Sequence, residues 1–292
     1  MTKAICFHHN DPDGHASGAI VKYALGDDVI LFESDYDGAP IPWDLVKQAE
    51  QVIVTDFSYP VDEMKRLAAG REMIWIDHHK SAMEEFEGIA DNWHGIRDIS
   101  EAACVLTWNY FFPKKPVPHA VVLIGDRDIW RWAEKDTGAF GSSLYHQDHH
   151  ANNAAFWKPL LEDDQVTLKK MIAEGAWLRE INLREIDNLM EARSYEVKFE
   201  GYEALVVNKR GTGDVGNYGR DRGYEIVYTY ADKMLDDGLH TIVTLYSNKV
   251  DVSVIATRYG GGGHAGAAGF SFPRGATPFP PGAKVKWKNE QK

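Results

Sequence analysis

Between Lys3 and His79, short apolar runs rich in β-branched side chains alternate with helix-type segments. The runs are KAICFHH, VILFES, QVIVTDF and REMIWIDHH, and the segments between them are Ala16 to Leu25, WDLVKQAE and VDEMKRLAA. Alternation of this kind is the signature of βαβ units joined into a parallel sheet. The sequence therefore predicts an α/β chain whose N-terminal domain is a doubly wound parallel sheet. EAACVLTWNYFF and PHAVVLIGD read as helices that complete it.

Aspartate and histidine gather where these runs end. His8-His9-Asn10-Asp11-Pro12-Asp13-Gly14 follows the first, Asp56 the third and Asp77-His78-His79 the fourth; Gly125-Asp126-Arg127-Asp128 closes a later apolar stretch. A parallel sheet brings the carboxyl ends of its strands to one edge, where α/β folds bind their ligands. Four distant pieces of chain would thus assemble one metal centre. Taken singly, each piece has a plainer explanation. DPDG could be a capping turn, Asp56 an N-cap, and Asp128 one half of a surface ion pair with Arg127. Three consecutive metal-competent side chains at a strand end are harder to explain by packing. Oxygen and imidazole donors without thiolate suit Mn²⁺ or Mg²⁺. Asp126 reads as the better ligand of its pair. Asp148-His149-His150 repeats the same letters after a polar loop and reads as an accidental repeat.

The formal charge of −12 is unevenly distributed: residues 1–193 hold 19 Lys and Arg against 33 Asp and Glu, whereas residues 194–292 hold 13 against 11. This balance argues against broad wrapping of duplex nucleic acid, which needs a cationic face, and leaves a small or short phosphorylated substrate compatible. Cys6 and Cys104 offer neither a disulfide framework nor zinc-ligand spacing. With no membrane-length apolar run and no signal-peptide pattern, a soluble cytoplasmic protein is expected.

Residues 165–193 form a long helical pattern, with Leu168, Met171, Ile172, Leu178, Ile186 and Leu189 on one face. The expected organisation is a metal-binding domain over residues 1–160 and a connector helix over 161–193. A smaller α/β substrate-binding domain over 194–275 and a loose tail over 276–292 follow. The second domain holds strand-type YEALVVN, YEIVYTY and HTIVTLYS, a glycine-broken segment from Gly211 to Gly223, and a short helix in DVSVIATRY. Then comes Gly260-Gly261-Gly262-Gly263-His264-Ala265-Gly266-Ala267-Ala268-Gly269-Phe270. Successive glycines leave main-chain N–H groups open to a phosphate or nucleobase.

At these residues the chain resembles the DHH phosphoesterases. His9 to Gly14 match the family's His-x-Asp-x-Asp-Gly motif, with His8 the alternative histidine. Asp56, Asp77-His78-His79 and Asp126 match the next three motifs, and GGGGHAGAAGF resembles the glycine-rich signature of the accompanying substrate-binding domain. The resemblance spans roughly residues 8 to 270 and lies nearest the branch of oligoribonucleases and cyclic-nucleotide phosphodiesterases. It implies two manganese ions, or magnesium, and two-metal hydrolysis of a phosphodiester in a short RNA or DNA strand or a small nucleotide. His9, Asp11 and Asp56 would hold one ion, and Asp13, Asp56, His78 and Asp126 the other. Asp77 would orient an imidazole, and His79 would face the phosphoryl group. Gly261, Gly262, Gly263 and His264 would anchor a nucleotide. Relatives carry Leu-Arg-Ser where this chain has Leu245-Tyr246-Ser247, so Tyr246 would stack on a base or Arg258 would supply the phosphate contact. A homodimer is compatible. The competing readings are a single-strand exonuclease and a catalytically silent nucleotide-binding protein. The exonuclease would need a basic groove, for which KVKWKNEQK is the one concentrated candidate.

Overall fold

The computed structural model describes residues 3–35 and 40–287. The chain divides into two compact units, Met1–Arg179 and Glu180–Lys292.

The first unit opens with β1 (Ala4–His9), α1 (Pro12–Leu25), β2 (Val29–Ser34), α2 (Trp43–Val46), β3 (Gln51–Thr55), α3 (Val61–Ala68) and β4 (Glu72–Ile76). The four strands are parallel in the order β2-β1-β3-β4. Alternate residues of β1 face opposite layers. Ile5 and Phe7 pack with Met64 and Leu67 of α3, while Cys6 packs on the other face with Val21 of α1. The helices therefore cover both faces, as a doubly wound sheet requires. From β1 the chain proceeds outward to β2, then returns past β1 to β3 and on to β4. The strand order thus reverses between β1 and β3, and a crevice opens beyond their carboxyl ends. His9 and Asp56 stand at those two ends. The remaining helices are α4 (Lys80–Glu85), α5 (Ala103–Phe111), α6 (His119–Asp128), α7 (Thr137–Leu144) and α8 (Ala154–Leu161). Both cysteines are buried, and burial pushes the Cys6 thiol up to about 12, so neither is poised for redox chemistry.

Helix α9 (Gln165–Arg193) begins in the first unit and ends in the second, over the span its periodicity predicts. The second unit continues with β5 (Ser194–Phe199), β6 (Tyr202–Asn208), α10 (Gly213–Asp221), β7 (Ile226–Leu235), β8 (Gly238–Tyr246), α11 (Val252–Arg258), β9 (Gly262–Gly263), β10 (Ala267–Pro273) and β11 (Val285–Trp287). Its sheet runs β11-β5-β6-β7-β8-β10-β9, with β6 and β7 parallel and the other pairs antiparallel. Two stretches differ from the sequence reading. The glycine-broken segment contains a helix, α10. Gly219 lies against β7, with Val227 Cγ2 only 2.2 Å from where a Cβ would sit, so the glycine permits close packing of α10. Residues 276–287, expected to belong to a loose tail, bury Phe279 and pair β11 with β5. The last five residues of the KVKWKNEQK stretch lie outside the described residues.

Candidate metal centre

The turn after β1 is built by Asp11 and Gly14. Asp11 is the N-cap of α1: its Oδ1 accepts from the Gly14 N–H at 2.8 Å, and Pro12 occupies the first turn. Its other oxygen, Oδ2, lies 3.0 Å from His9 Nδ1. The capping and ligand readings of Asp11 are thus both satisfied, one by each oxygen. Gly14 is required for space, because a Cβ there would meet the His9 carbonyl oxygen at 2.3 Å. Alternation along β1 separates the two histidines. His9 faces Asp11 and Asp56, its ring stacked near Phe57, while His8 lies under α1 against Gly18.

Asp56 is the hub. It follows β3 directly, is buried, and has a φ of 56° in the left-handed region. Few non-glycine residues adopt that conformation, and it is concentrated where function fixes a side chain. Its Oδ1 lies 3.0 Å from His78 Nε2, and its Oδ2 lies 3.7 Å from His9 Nδ1. Asp56 therefore belongs both to the donor group His9–Asp11–Asp56 and to the group Asp13–Asp56–His78.

Asp13 reaches across to α5, where its oxygens accept from the Ala103 and Cys104 N–H groups at 2.8 Å each. It serves as the N-terminal cap that Ala102 cannot provide. His78 Nε2 stands 3.6 Å from Asp13 and 3.5 Å from Asp128. Asp77 acts differently. Its Oδ1 accepts from the main-chain N–H groups of His78 at 2.7 Å and His79 at 3.1 Å, and lies 2.7 Å from His79 Nδ1. Trp75 Nε1–H donates to its Oδ2 at 3.2 Å. Asp77 therefore positions both histidines.

The structure corrects one expected ligand. Asp126 is turned away from the cluster: it accepts from Ala133 N–H at 2.8 Å, Glu134 N–H at 3.2 Å and Thr137 Oγ1–H at 2.5 Å. It organises the loop leading into α7. Asp128, two residues later, faces His78 instead. Positions two apart on a helix point to opposite sides. Asp126 is buried on the helix and held by the loop that follows, whereas Asp128 is partly exposed.

Electrostatics follow from this crowding. Burial, then the neighbouring Asp128 carboxylate, holds Asp13 up at about 6. Burial and the Asp11 and Asp13 carboxylates raise Asp56 well above the usual range. Burial and the Asp11 carboxylate raise Asp128, although His78 opposes them. Burial draws His9 down, but the neighbouring Asp11 and Asp56 carboxylates outweigh it and leave His9 at about 10. Likewise, His79 is raised because its pairing with Asp77 outweighs burial. Buried carboxylates that repel one another are the donors of a site built for added positive charge. Asp56 Oδ2 is buried without a hydrogen bond among the described residues, as a ligand oxygen facing a cation would be. The donor set fits hard divalent ions.

In the second unit, Gly261 and Gly263 are dictated by the close approach of β9 to β10. A Cβ at Gly261 would meet the Gly269 carbonyl oxygen at 2.0 Å, and Gly263 has a φ of 133°. His264 and Ala267 close the intervening turn through reciprocal main-chain hydrogen bonds. Two expected substrate contacts are otherwise engaged. Arg258 Nη1 lies 3.3 Å from Glu200 Oε2. Tyr246 is buried on β8, which has strands on both sides, and its hydroxyl fills the space beside Gly211.

No family model matches the chain. An uncharacterized protein of Acanthamoeba polyphaga mimivirus is 30% identical over 241 residues, covering 79% of this chain and 55% of that protein. The chain thus spans about half the length of that relative. Oligoribonuclease NrnB of Bacillus subtilis is 24% identical over 301 residues, covering 91% of this chain and 72% of that enzyme. Among solved structures, the DHH domain of a member of a family of ribosomal proteins superposes with a TM-score of 0.60. It is 14% identical and covers 93% of this chain and 83% of that one. The chain has the DHH fold. Asp77-His78-His79, the triplet that names the fold, follows β4 at the same sheet edge as His9 and Asp56. Among the described residues of this DHH protein, no helix is long and apolar enough to cross a membrane.

Proposed function

We propose that the chain is a divalent-metal-dependent phosphoesterase that hydrolyses phosphodiester bonds in short oligonucleotides or small nucleotides, with manganese as its expected ion. The observation that carries this reading is the double membership of Asp56, whose two oxygens face two separate donor groups. His9, Asp11 and Asp56 would hold one ion, and Asp13, Asp56, His78 and Asp128 the other. Bound there, a pair of divalent ions supplies a nucleophile at neutral pH and neutralises charge on the displaced oxygen.

The chain's own residues do the rest. His79, whose protonated form the adjacent Asp77 favours, would donate to a phosphoryl oxygen as charge builds on it. Asp77 and Trp75 fix that ring and the His78 ring. Gly262, on edge strand β9, offers main-chain groups to a nucleotide, with His264 beside it. The likeness to oligoribonuclease NrnB supports the substrate class.

The test is Mn²⁺-dependent hydrolysis across end-labelled RNA and DNA of graded length, cyclic mononucleotides and cyclic dinucleotides. Preference for the shortest RNA establishes an oligoribonuclease; preference for long strands moves the reading to an exonuclease. Asp56→Ala is expected to abolish turnover in a folded protein. Retained turnover would sink the assignment of Asp56 to both ions.

A further inference from the structure

The repeated letters Asp148-His149-His150 lie beside α1 and β2. His15 Nε2 lies 2.9 Å from Glu33 Oε2, and His150 Nδ1 lies 3.2 Å from the same oxygen. The three donor atoms all fall within 4.8 Å of one another. His149 completes the group: its ring centroid is 5.1 Å from that of His15, and its Nδ1 lies 3.0 Å from the Gln147 carbonyl oxygen. An imidazole that donates Nδ1–H to a carbonyl keeps the Nε2 lone pair for an incoming ion. His15 is buried, and its Nδ1 has no hydrogen-bond partner among the described residues. Glu33 therefore supplies one carboxylate to a neighbourhood of imidazoles.

That donor set is the reverse of the carboxylate-rich centre at Asp56. Nitrogen-rich sites with a single carboxylate favour zinc over magnesium or manganese. Zinc bonds of about 2.0–2.2 Å to a common centre would bring the donors to roughly the separations seen between Glu33 and its two histidines. We infer that His15, Glu33 and His150 form a second, mononuclear site for zinc, with His149 or water as the fourth ligand. The site joins three pieces of chain: the first turns of α1, the end of β2 and the 148–150 loop. His15 N–H donates to the Asp11 carbonyl at 2.8 Å, so zinc here would fasten α1 one turn from the carboxylates of the first centre. The inference does not depend on the phosphoesterase reading.

The experiment uses the full chain carrying Asp56→Asn and Asp128→Asn to weaken the first centre, stripped with chelator and then titrated with ZnCl₂. In this background His150→Gln keeps a donor for Glu33 but removes the imidazole, whereas His150→Cys supplies a thiolate. His150 is largely exposed, so both variants should fold. The expected result is loss of one zinc per chain, and of the zinc-induced rise in Tm, in His150→Gln, with both retained in His150→Cys. Co²⁺ in place of zinc should give a visible tetrahedral absorption band that His150→Gln lacks. Equal zinc uptake and equal Tm response in the parent and His150→Gln would overturn the inference, leaving a hydrogen-bonded cluster only.

Discussion

Asp126→Asn and Asp128→Asn differ by two positions and should fail in opposite ways. Asp126 is buried and accepts three hydrogen bonds, from two main-chain amides and Thr137. An asparagine can accept at one oxygen only, and its amide group then confronts donors at the other. Hydrogen bonds to a charged acceptor contribute about 1.5–3 kcal/mol each, and a stranded buried donor costs about 1–3 kcal/mol. Losing the pair at Oδ2, with partial recovery as the Thr137 hydroxyl rotates, should destabilise the protein by about 2–4 kcal/mol. For a unit of this size that lowers Tm by roughly 4–16 °C. Manganese should still bind. Asp128→Asn removes one of several mutually repelling buried carboxylates, so the metal-free Tm should hold or rise while manganese affinity and turnover collapse. Differential scanning fluorimetry with chelator, together with Mn²⁺ titration followed by electron paramagnetic resonance, reads both variants. Loss of manganese in Asp126→Asn at unchanged Tm, with a normal site in Asp128→Asn, would refute the assignment.

Metal-free protein should lose stability as the pH rises from 7 to 9. His9, held at about 10, keeps a proton that the unfolded chain releases above its ordinary 6.5, so its stabilisation is full below that value and is lost as the pH climbs through about 10. One retained proton corresponds to about 1.4 kcal/mol per pH unit. His8, lowered to about 4 by burial, opposes the trend only below 6.5. Chemical denaturation with chelator present should show the decline; a flat or rising profile would count against it. Gly14→Ala should displace the His9 carbonyl from the turn and reduce both Tm and manganese affinity, which the same titrations would detect.

Much of the first unit was legible because its strands read as uninterrupted apolar runs, three of the four followed at once by expected ligands. Helix α9 was equally plain from its period. Asp126 and Asp128 were not separable by residue type, since both follow the same apolar stretch. Only the loop from Ala133 to Thr137, folding onto Asp126, decides between them. Strand β5 alternates Tyr195, Val197 and Phe199 with polar residues, a weak signal that the sheet then stabilises. Strand β11 has three residues and exists through its pairing with β5. Tyr246 looked available beside an absent arginine, but its place on an interior strand buries it.

The carboxylate of Asp13 also holds the first amides of α5, 90 and 91 positions downstream. A cation drawn to that carboxylate must share it with a helix end. Amide exchange at Ala103 and Cys104 should therefore slow as the centre fills and quicken as it empties, giving a built-in gauge of occupancy that needs neither substrate nor turnover. It also means that selection on the ligand at position 13 is at the same time selection on the folding of a helix far away in sequence.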